Sequence, residues 1–269
     1  MKKIVLIFSF LIVILSCDNN DSNPDRILKN IAVEYLYFDD GIRFINTTLG
    51  FSPANPLETI CSINYKNNAP VKIIGGFRQE ASGYNLSNFV FSEDVSDSIV
   101  HDGGKVIVYT IPKFTYYISD NPDNPLIYSL SADKSLQNIT RRNGFVTNYA
   151  YSGNIITETN SEGDVLRKFY LENNNLVKVE QEYFMPDGDL FKKIEILFKG
   201  FDNNPNPLQD KYYLIGAFFR AFSVNNFEEY TINTYFSSDG INLELQNTYT
   251  FSMPINYDML GYPLFGEYQ

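Results

Sequence analysis

The sequence predicts an all-β fold, a large antiparallel meander whose sheet is curled or partly barrel-like, and three observations carry that expectation. Strand-like runs recur about every 10 to 14 residues, each bounded by turn chemistry. The turns are short, which forces neighbouring strands to run antiparallel. The chain of 269 residues also carries 20 Tyr and 22 Phe with no Trp, and aromatic side chains suit the pleated, half-buried surface of a sheet.

The first element is a leader rather than a strand. Lys2 and Lys3 open the chain, Ile4 to Leu15 is an apolar run interrupted at Ser9, and Ser16 and Cys17 precede the polar Asp18, Asn19, Asn20 and Asp21. A membrane-spanning helix needs about 20 apolar residues, so residues 1–16 are too short to span and read as a signal peptide. Ser16 and Cys17 resemble the bacterial lipobox, in which the cysteine becomes the acylated N-terminus, although Leu15 sits closer to the cut than the usual bulky position. That resemblance implies lipid attachment at Cys17 and a lipid bilayer as partner. The alternative is a plain secretory signal cut nearby that leaves Cys17 free or lost. Residues 17–26 hold no large apolar side chain from Asp18 on and read as a flexible tether to a β-rich domain at 27–269. Acidic residues after the cysteine resemble the signal for the outer face of the outer membrane in some Gram-negative lineages. In others Asp at that place retains the protein at the inner membrane. The β-rich, Asn-rich body favours the first address.

Strands are expected at Ile31–Phe38, Ile42–Thr48, Thr59–Tyr65, Val71–Phe77, Tyr84–Phe91 and Lys105–Ile111, with turns at 39–41, 66–70 and 101–104. Loops rich in Pro and Asn follow at 52–56, 119–125 and 202–207, and the middle one marks a candidate subdomain boundary. The meander continues through Asn154–Thr159, Val165–Leu171, Leu176–Phe184 and Leu190–Lys199. One segment departs from it. Asn206, Pro207, Leu208 and Asp210 suggest a helix start, and Tyr212, Tyr213, Ile215, Phe219 and Phe222 recur at helical spacing, predicting a short helix near 207–224. A strand from Tyr212 to Phe219 is the alternative. The last hairpin joins Tyr230–Phe236 to Ile241–Phe251 through Ser237, Ser238, Asp239 and Gly240, with Ile241, Leu243, Leu245, Tyr249 and Phe251 expected on one face.

Tyr149, Tyr151, Gly153 and Ile155, then Tyr183, Asp187, Gly188 and Leu190, then Tyr257, Asp258, Gly261 and Tyr262, resemble tyrosine-aspartate-type repeats. The spacing is uneven and the first set lacks Asp. Together with the lipobox and the run from Phe201 to Pro207, the chain is similar to a broad group of uncharacterised envelope lipoproteins with β-meander bodies, some of them porin-like open sheets. The resemblance implies a fold and a cellular address and brings no catalytic residues, cofactor or metal ligand.

Composition narrows the function classes. Removing residues 1–16 leaves 19 Lys and Arg against 32 Asp and Glu, a net charge of −13, which argues against nucleic acid as a partner. If Cys17 is acylated, Cys61 has no intramolecular partner, and its place in the run Thr59 to Ile63 predicts a buried, small apolar side chain. His101 is the one histidine, so a multi-histidine zinc site is excluded, and the Asp102, Gly103, Gly104 that follow place it at a tight turn. Asp39 with Asp40, Asp187 with Asp189 and Glu228 with Glu229 are carboxylate pairs of the kind a glycosidase needs. Asp120, Asp123 and Asn124, and Asp202, Asn203 and Asn204, read as Asx turns before they read as Ca²⁺ ligands. The function expected is a lipid-anchored, non-catalytic envelope protein that presents a Tyr-bearing face to a glycan, a peptide or another envelope protein. A glycan-processing hydrolase using paired carboxylates is the alternative.

Overall fold

The computed structural model describes residues 26–36, 59–82, 85–111 and 124–268, with side chains omitted over 77–82 and 85–90. The leader, Cys17, the tether up to residue 25, the strand expected at 42–48, Asp39, Asp40, Asp120 and Asp123 lie outside these residues.

The described strands form one 14-stranded antiparallel sheet in which every strand pairs with its sequence neighbours. In order they are β1 (Asn30–Ala32), β2 (Ile60–Lys66), β3 (Ala69–Ser82), β4 (Asn85–Asp102), β5 (Lys105–Ile111), β6 (Leu126–Leu130) and β7 (Leu136–Thr140), followed by β8 (Val146–Ser152), β9 (Ile155–Thr159), β10 (Val165–Glu172), β11 (Asn175–Phe184), β12 (Leu190–Lys199), β13 (Glu229–Ser237) and β14 (Leu243–Ser252). The all-β meander expected from the sequence is therefore what forms. Short turns set it up: β4 passes to β5 through Gly103 and Gly104 alone, both at positive φ (51° and 90°), which a residue with a Cβ adopts only at a cost.

Alternation divides the sheet into two faces. Two columns of paired residues, Ile99, Val108 and Leu126 on β4 to β6 and Ile156, Phe169, Val179 and Ile196 on β9 to β12, are buried in the hollow of the curl, with Ile139 of β7 also buried. The opposite face of β7 to β13 carries Asn138, Asn148, Thr157, Lys168, Glu180, Glu195 and Asn233. On β5, Tyr109 and Ile111 also point outward and are about half exposed.

What fills the hollow corrects one expectation. The connection from β12 to β13 dips into the curl, but no α-helix forms over 207–224; it runs as successive tight turns, ending in a single 3₁₀ turn at Arg220–Phe222. Backbone bonds reach three residues back, from Gln209 to Asn206, Lys211 to Leu208, Leu214 to Lys211 and Ala217 to Leu214. Asp210 and Gly216 stand at positive φ (61° and 69°) and interrupt any continuous helix. The segment is apolar on all sides because all sides are buried: every residue from Tyr212 to Ser223 is enclosed, so no single apolar face imposes a helical repeat. Phe218, Phe219 and Phe222 pack on Tyr149 and Phe169, and Tyr213 meets Tyr128 and His101. Each fully buried Phe contributes about 1.5–3 kcal/mol relative to an exposed one, so the strap adds a block of aromatic core to the inward side chains of the strands.

The strap and the inward strand positions also bury charge. Glu158 (1% exposed) accepts from the Tyr149 hydroxyl at 3.0 Å and from the Arg167 guanidinium, which lies over the rings of Phe169 and Phe218. Thr110 donates to Asp97 at 2.6 Å and receives a bond from Arg142. These pairs satisfy one another inside the hollow, where an unpaired charge would be costly.

The last hairpin holds a second correction. Thr234 pairs with Asn247 while its neighbour Tyr235 pairs with Leu245, so Gln246 is an extra residue on β14. Paired residues share a face, and the bulge turns Leu245 to the side opposite Tyr249 and Phe251. The strict alternation of the sequence cannot reveal the inserted residue.

Candidate functional site

The two edges of the sheet are finished differently, and a cleft lies where they approach. β1 is three residues long and passes directly into a 3₁₀ turn at Val33–Tyr35. Its free edge is covered by the C-terminal segment: Lys29 donates to Glu267 O and Ala32 to Phe265 O, both at 2.7 Å, Asn30 Oδ1 accepts from Glu267 N at 2.8 Å, and Leu28 bridges Tyr268. Gly266 fits only as glycine, since a Cβ there would collide with the Asn30 carbonyl. Arg26 completes the closure through an ion pair with Asp258 and a place over the Tyr262 ring.

β14 has no such cover among the described residues, and nine of its ten residues are exposed. Met253 donates to Glu228 O on the β13 side at 2.6 Å. Strand residues alternate the side to which they turn their backbone groups, so Phe251 and Tyr249 bond to β13 while Ser252, Thr250 and Thr248 turn theirs to the open edge.

Between β14 and the 3₁₀ turn opens a cleft of about 380 Å³, within the range of small-molecule sites. Its sheet wall is Tyr230 on β13 and Phe251 on β14, stacked at 4.8 Å between centroids and 20° between planes. The far wall is Glu34 and Tyr35, and the floor is Met253, Pro254 and Asn256. Tyr35 donates to Pro254 O at 3.4 Å; burial first, then the neighbouring Glu34, raises its hydroxyl above the usual phenol pKa.

Behind the floor lies Arg220, 2% exposed. Its Nε donates to Tyr35 O at 2.8 Å, one terminal nitrogen to Phe227 O at 3.0 Å and the other to Met253 Sδ at 3.7 Å. The guanidinium sits 3.9 Å from the Phe227 ring centroid and 5.0 Å from that of Phe265. Burial lowers its pKa to about 9, with nearby tyrosines and Asp202 opposing the shift. One residue thus ties strap, 3₁₀ turn, cleft floor and C-terminal segment together. It was not singled out from the sequence; the signal available was a lone cation inside the apolar run from Tyr212 to Phe222.

The residues singled out from the sequence are scattered. Cys61 is buried (1% exposed) on the same face as Ile63, as its position suggested. His101 lies within β4, one residue before its end, rather than in the turn, with Nε2 2.8 Å from Pro70 O and its ring edge-on to Tyr213. Asp187 and Asp189 lie at the β11–β12 hairpin tip, where Asp187 Oδ1 accepts from Asp189 N at 3.3 Å. Glu228 accepts from Ile255 N at 3.2 Å, while Glu229 faces Lys199 at 3.8 Å. A glycosidase sets two acids about 5 to 10 Å apart across a cleft; among the described residues lining this cleft, Glu34 is the one carboxylate. Asp202 serves an Asx turn, accepting from Asn204 N (3.1 Å) and from Asn226 N (3.0 Å) and Nδ2 (2.9 Å), and it also receives the Tyr257 hydroxyl. No group of three or more His, Cys, Asp or Glu that could hold a metal ion occurs among the described residues.

A charged ladder crosses the outward face of β10 to β13. Glu180 accepts from the Tyr170 hydroxyl and from Lys178 and Lys193, both at 3.0 Å, and Glu195 takes Lys193 at 2.7 Å and the Tyr235 hydroxyl at 2.9 Å. Desolvation alone would raise the Glu180 carboxyl, but these donors outweigh it and hold the pKa down to about 2.

No family model and no curated protein matches the chain. Among solved structures it is similar to a porin-like protein from Bacteroides uniformis, with 9% identity, a TM-score of 0.39 and coverage of 76% of this chain and 86% of that one. It is likewise similar to a porin-like protein from Bacteroides vulgatus, with 11% identity, a TM-score of 0.35 and coverage of 77% and 84%.

Proposed function

We propose that the chain is a lipid-tethered, non-catalytic protein of the bacterial cell envelope, on the outer membrane, that binds a partner at the seam between β14 and the Val33–Tyr35 turn. The observation that carries the reading is the cleft itself: a stacked Tyr230–Phe251 wall facing one carboxylate, Glu34, at an edge the described chain leaves open. The rest of the molecule supports it. The hollow is packed with Phe218, Phe219 and Phe227 at 1% exposure or less, as a scaffold requires and a water-filled channel does not allow. The outward face of β10 to β12 carries Lys168, Lys178, Glu180, Lys193 and Glu195 where a membrane-spanning barrel needs an apolar band. Attachment to the bilayer therefore falls to acyl chains on Cys17, since each buried methylene contributes about 0.8 kcal/mol and two or more chains hold stably.

Two experiments test the two halves. The Cys17→Ala variant should move from the membrane to the soluble fraction, and mass spectrometry of the wild-type N-terminal peptide should find acyl groups on the sulfur; membrane retention by the variant overturns the tether. Cross-linking in intact envelopes should map to Glu34, Phe251 and Ser252. Cross-links confined to the outward ladder around Lys168 and Lys178 would overturn the seam.

A further inference from the structure

We infer that β14 binds its partner by strand addition, taking an extended peptide that alternates basic and apolar residues as a fifteenth strand. The inference rests on the reading that the seam is the binding site and names what occupies it. Three observations define the partner. The backbone groups of Thr248, Thr250 and Ser252 face the open edge, and strand addition satisfies such groups with main-chain hydrogen bonds that make no demand on partner sequence. Tyr249 (57% exposed) and Phe251 (46%) line the inner side of that edge, and every second side chain of an added strand would fall beside them. Charge supplies the remaining specificity. Glu244 stands within β14 and Glu34 across from its far end, and β14 itself carries no Lys or Arg. A strand placed at Thr248 to Ser252 meets Glu34 at its end, beside a strand without cations on a chain of net charge −11, so the side chains it turns away from Tyr249 and Phe251 should be cations.

The β1 edge shows by contrast what a finished edge looks like in this fold, with Lys29 and Ala32 already bonded to the C-terminal segment. The bulge at Gln246 restricts regular pairing to the part of β14 that follows it. The added strand is therefore centred on Thr248 to Ser252, next to the cleft.

The test uses the detergent-solubilised full chain and a fluorescein-labelled peptide of alternating lysine and valine. Its comparators are a peptide of the same composition in two blocks, an alternating glutamate and valine peptide, and a neutral cello-oligosaccharide. The alternating basic peptide should saturate a single site and slow amide exchange at Thr248, Thr250 and Ser252, with the block and acidic peptides about tenfold weaker or worse. Thr250→Pro removes one outward-facing N–H and leaves the backbone bonds to β13 in place; it loses the 3.1 Å hydroxyl contact with Thr231, as Thr250→Val also does, so it should weaken binding by about tenfold at a thermal midpoint matching that of Thr250→Val, which should bind as the wild type does. Equal binding of the block peptide, binding unaffected by Thr250→Pro, or protection at other strands would overturn the inference. So would an oligosaccharide that binds where the peptide fails, although that result would leave the seam reading standing. Release of Cys17→Ala from the membrane reports on the tether independently of every outcome here.

Discussion

The β1 and β14 edges belong to the same sheet and meet the same physical problem, a row of backbone donors and acceptors without a next strand, and they solve it in opposite ways. At β1 the chain returns from over 230 residues away to meet Leu28, Lys29, Asn30 and Ala32, seals the contact with Gly266 and backs it with Phe265 (0% exposed) and Arg220. At β14 ten residues run along the edge and nine are exposed, with Tyr249 and Phe251 in view of the cleft. Long exposed edges invite pairing with other chains, and proteins usually blunt them with charge, Pro or cover. The difference teaches that this fold can seal an edge with its own chain, and that among the described residues it does so at β1 and leaves the backbone of β14 uncovered.

The largest expected effects lie at the closed edge. Arg220→Ala would leave the carbonyls of Tyr35 and Phe227 facing a void between Phe227 and Phe265, and Phe265→Ala would empty a fully buried site; each should cost about 3–5 kcal/mol in urea unfolding. A loss under about 1 kcal/mol for either would break the comparison. Gly266→Ala comes next. Its Cβ would collide with the Asn30 backbone, so the C-terminal segment must shift, at a cost of about 1–3 kcal/mol and with faster exchange of the Lys29 and Ala32 amides. At the open edge Phe251→Ala should cost only about 0.5–1 kcal/mol, the stacked contact with Tyr230, while weakening partner binding far more than it weakens the fold.

The smallest effect concerns acid. Glu180 is held near pKa 2 in the folded chain against 4.5 for the free side chain, so its contribution is complete above pH 4.5 and is lost as pH falls toward 2. The ladder is partly solvated, so the loss should stay at or below about 1 kcal/mol. Unfolding midpoints measured across that pH window should fall less steeply for Glu180→Gln than for the wild type. An identical slope would remove the ladder from the account.

How much of this was legible in the sequence follows from the range of the interactions. The hairpins from β9 to β12 are written locally, in period-two alternation flanked by Ser152 and Gly153, Asn173 to Asn175 and Pro186 to Asp189, and they form where expected. Strands β6 to β8 and the second half of β4 were missed, because Ser96, Asp97, Asn138, Thr147 and Asn148 dilute the apolar signal that burial would otherwise give. The strap at 207–224 misled because its aromatics, enclosed on every side, mimic a helical period while Asp210 and Gly216 break the backbone. Charge pairs such as Glu158 with Arg167 were readable in principle, since each shares parity with an inward apolar residue, Ile156 and Phe169, on adjacent strands. The seam was not readable. Glu34 and Phe251 come together only through the curvature of the whole sheet, and no local pattern encodes that approach.

The central claim, one edge sealed by the chain's own C-terminus and the other without cover among the described residues, is tested most directly by amide hydrogen exchange on the unliganded full chain. The account predicts slow exchange at Lys29 and Ala32, and exchange about a hundredfold faster at Thr248, Thr250 and Ser252, a gap of ~2.7 kcal/mol in local protection. Protection at those three β14 amides equal to that of Lys29 and Ala32 would contradict it.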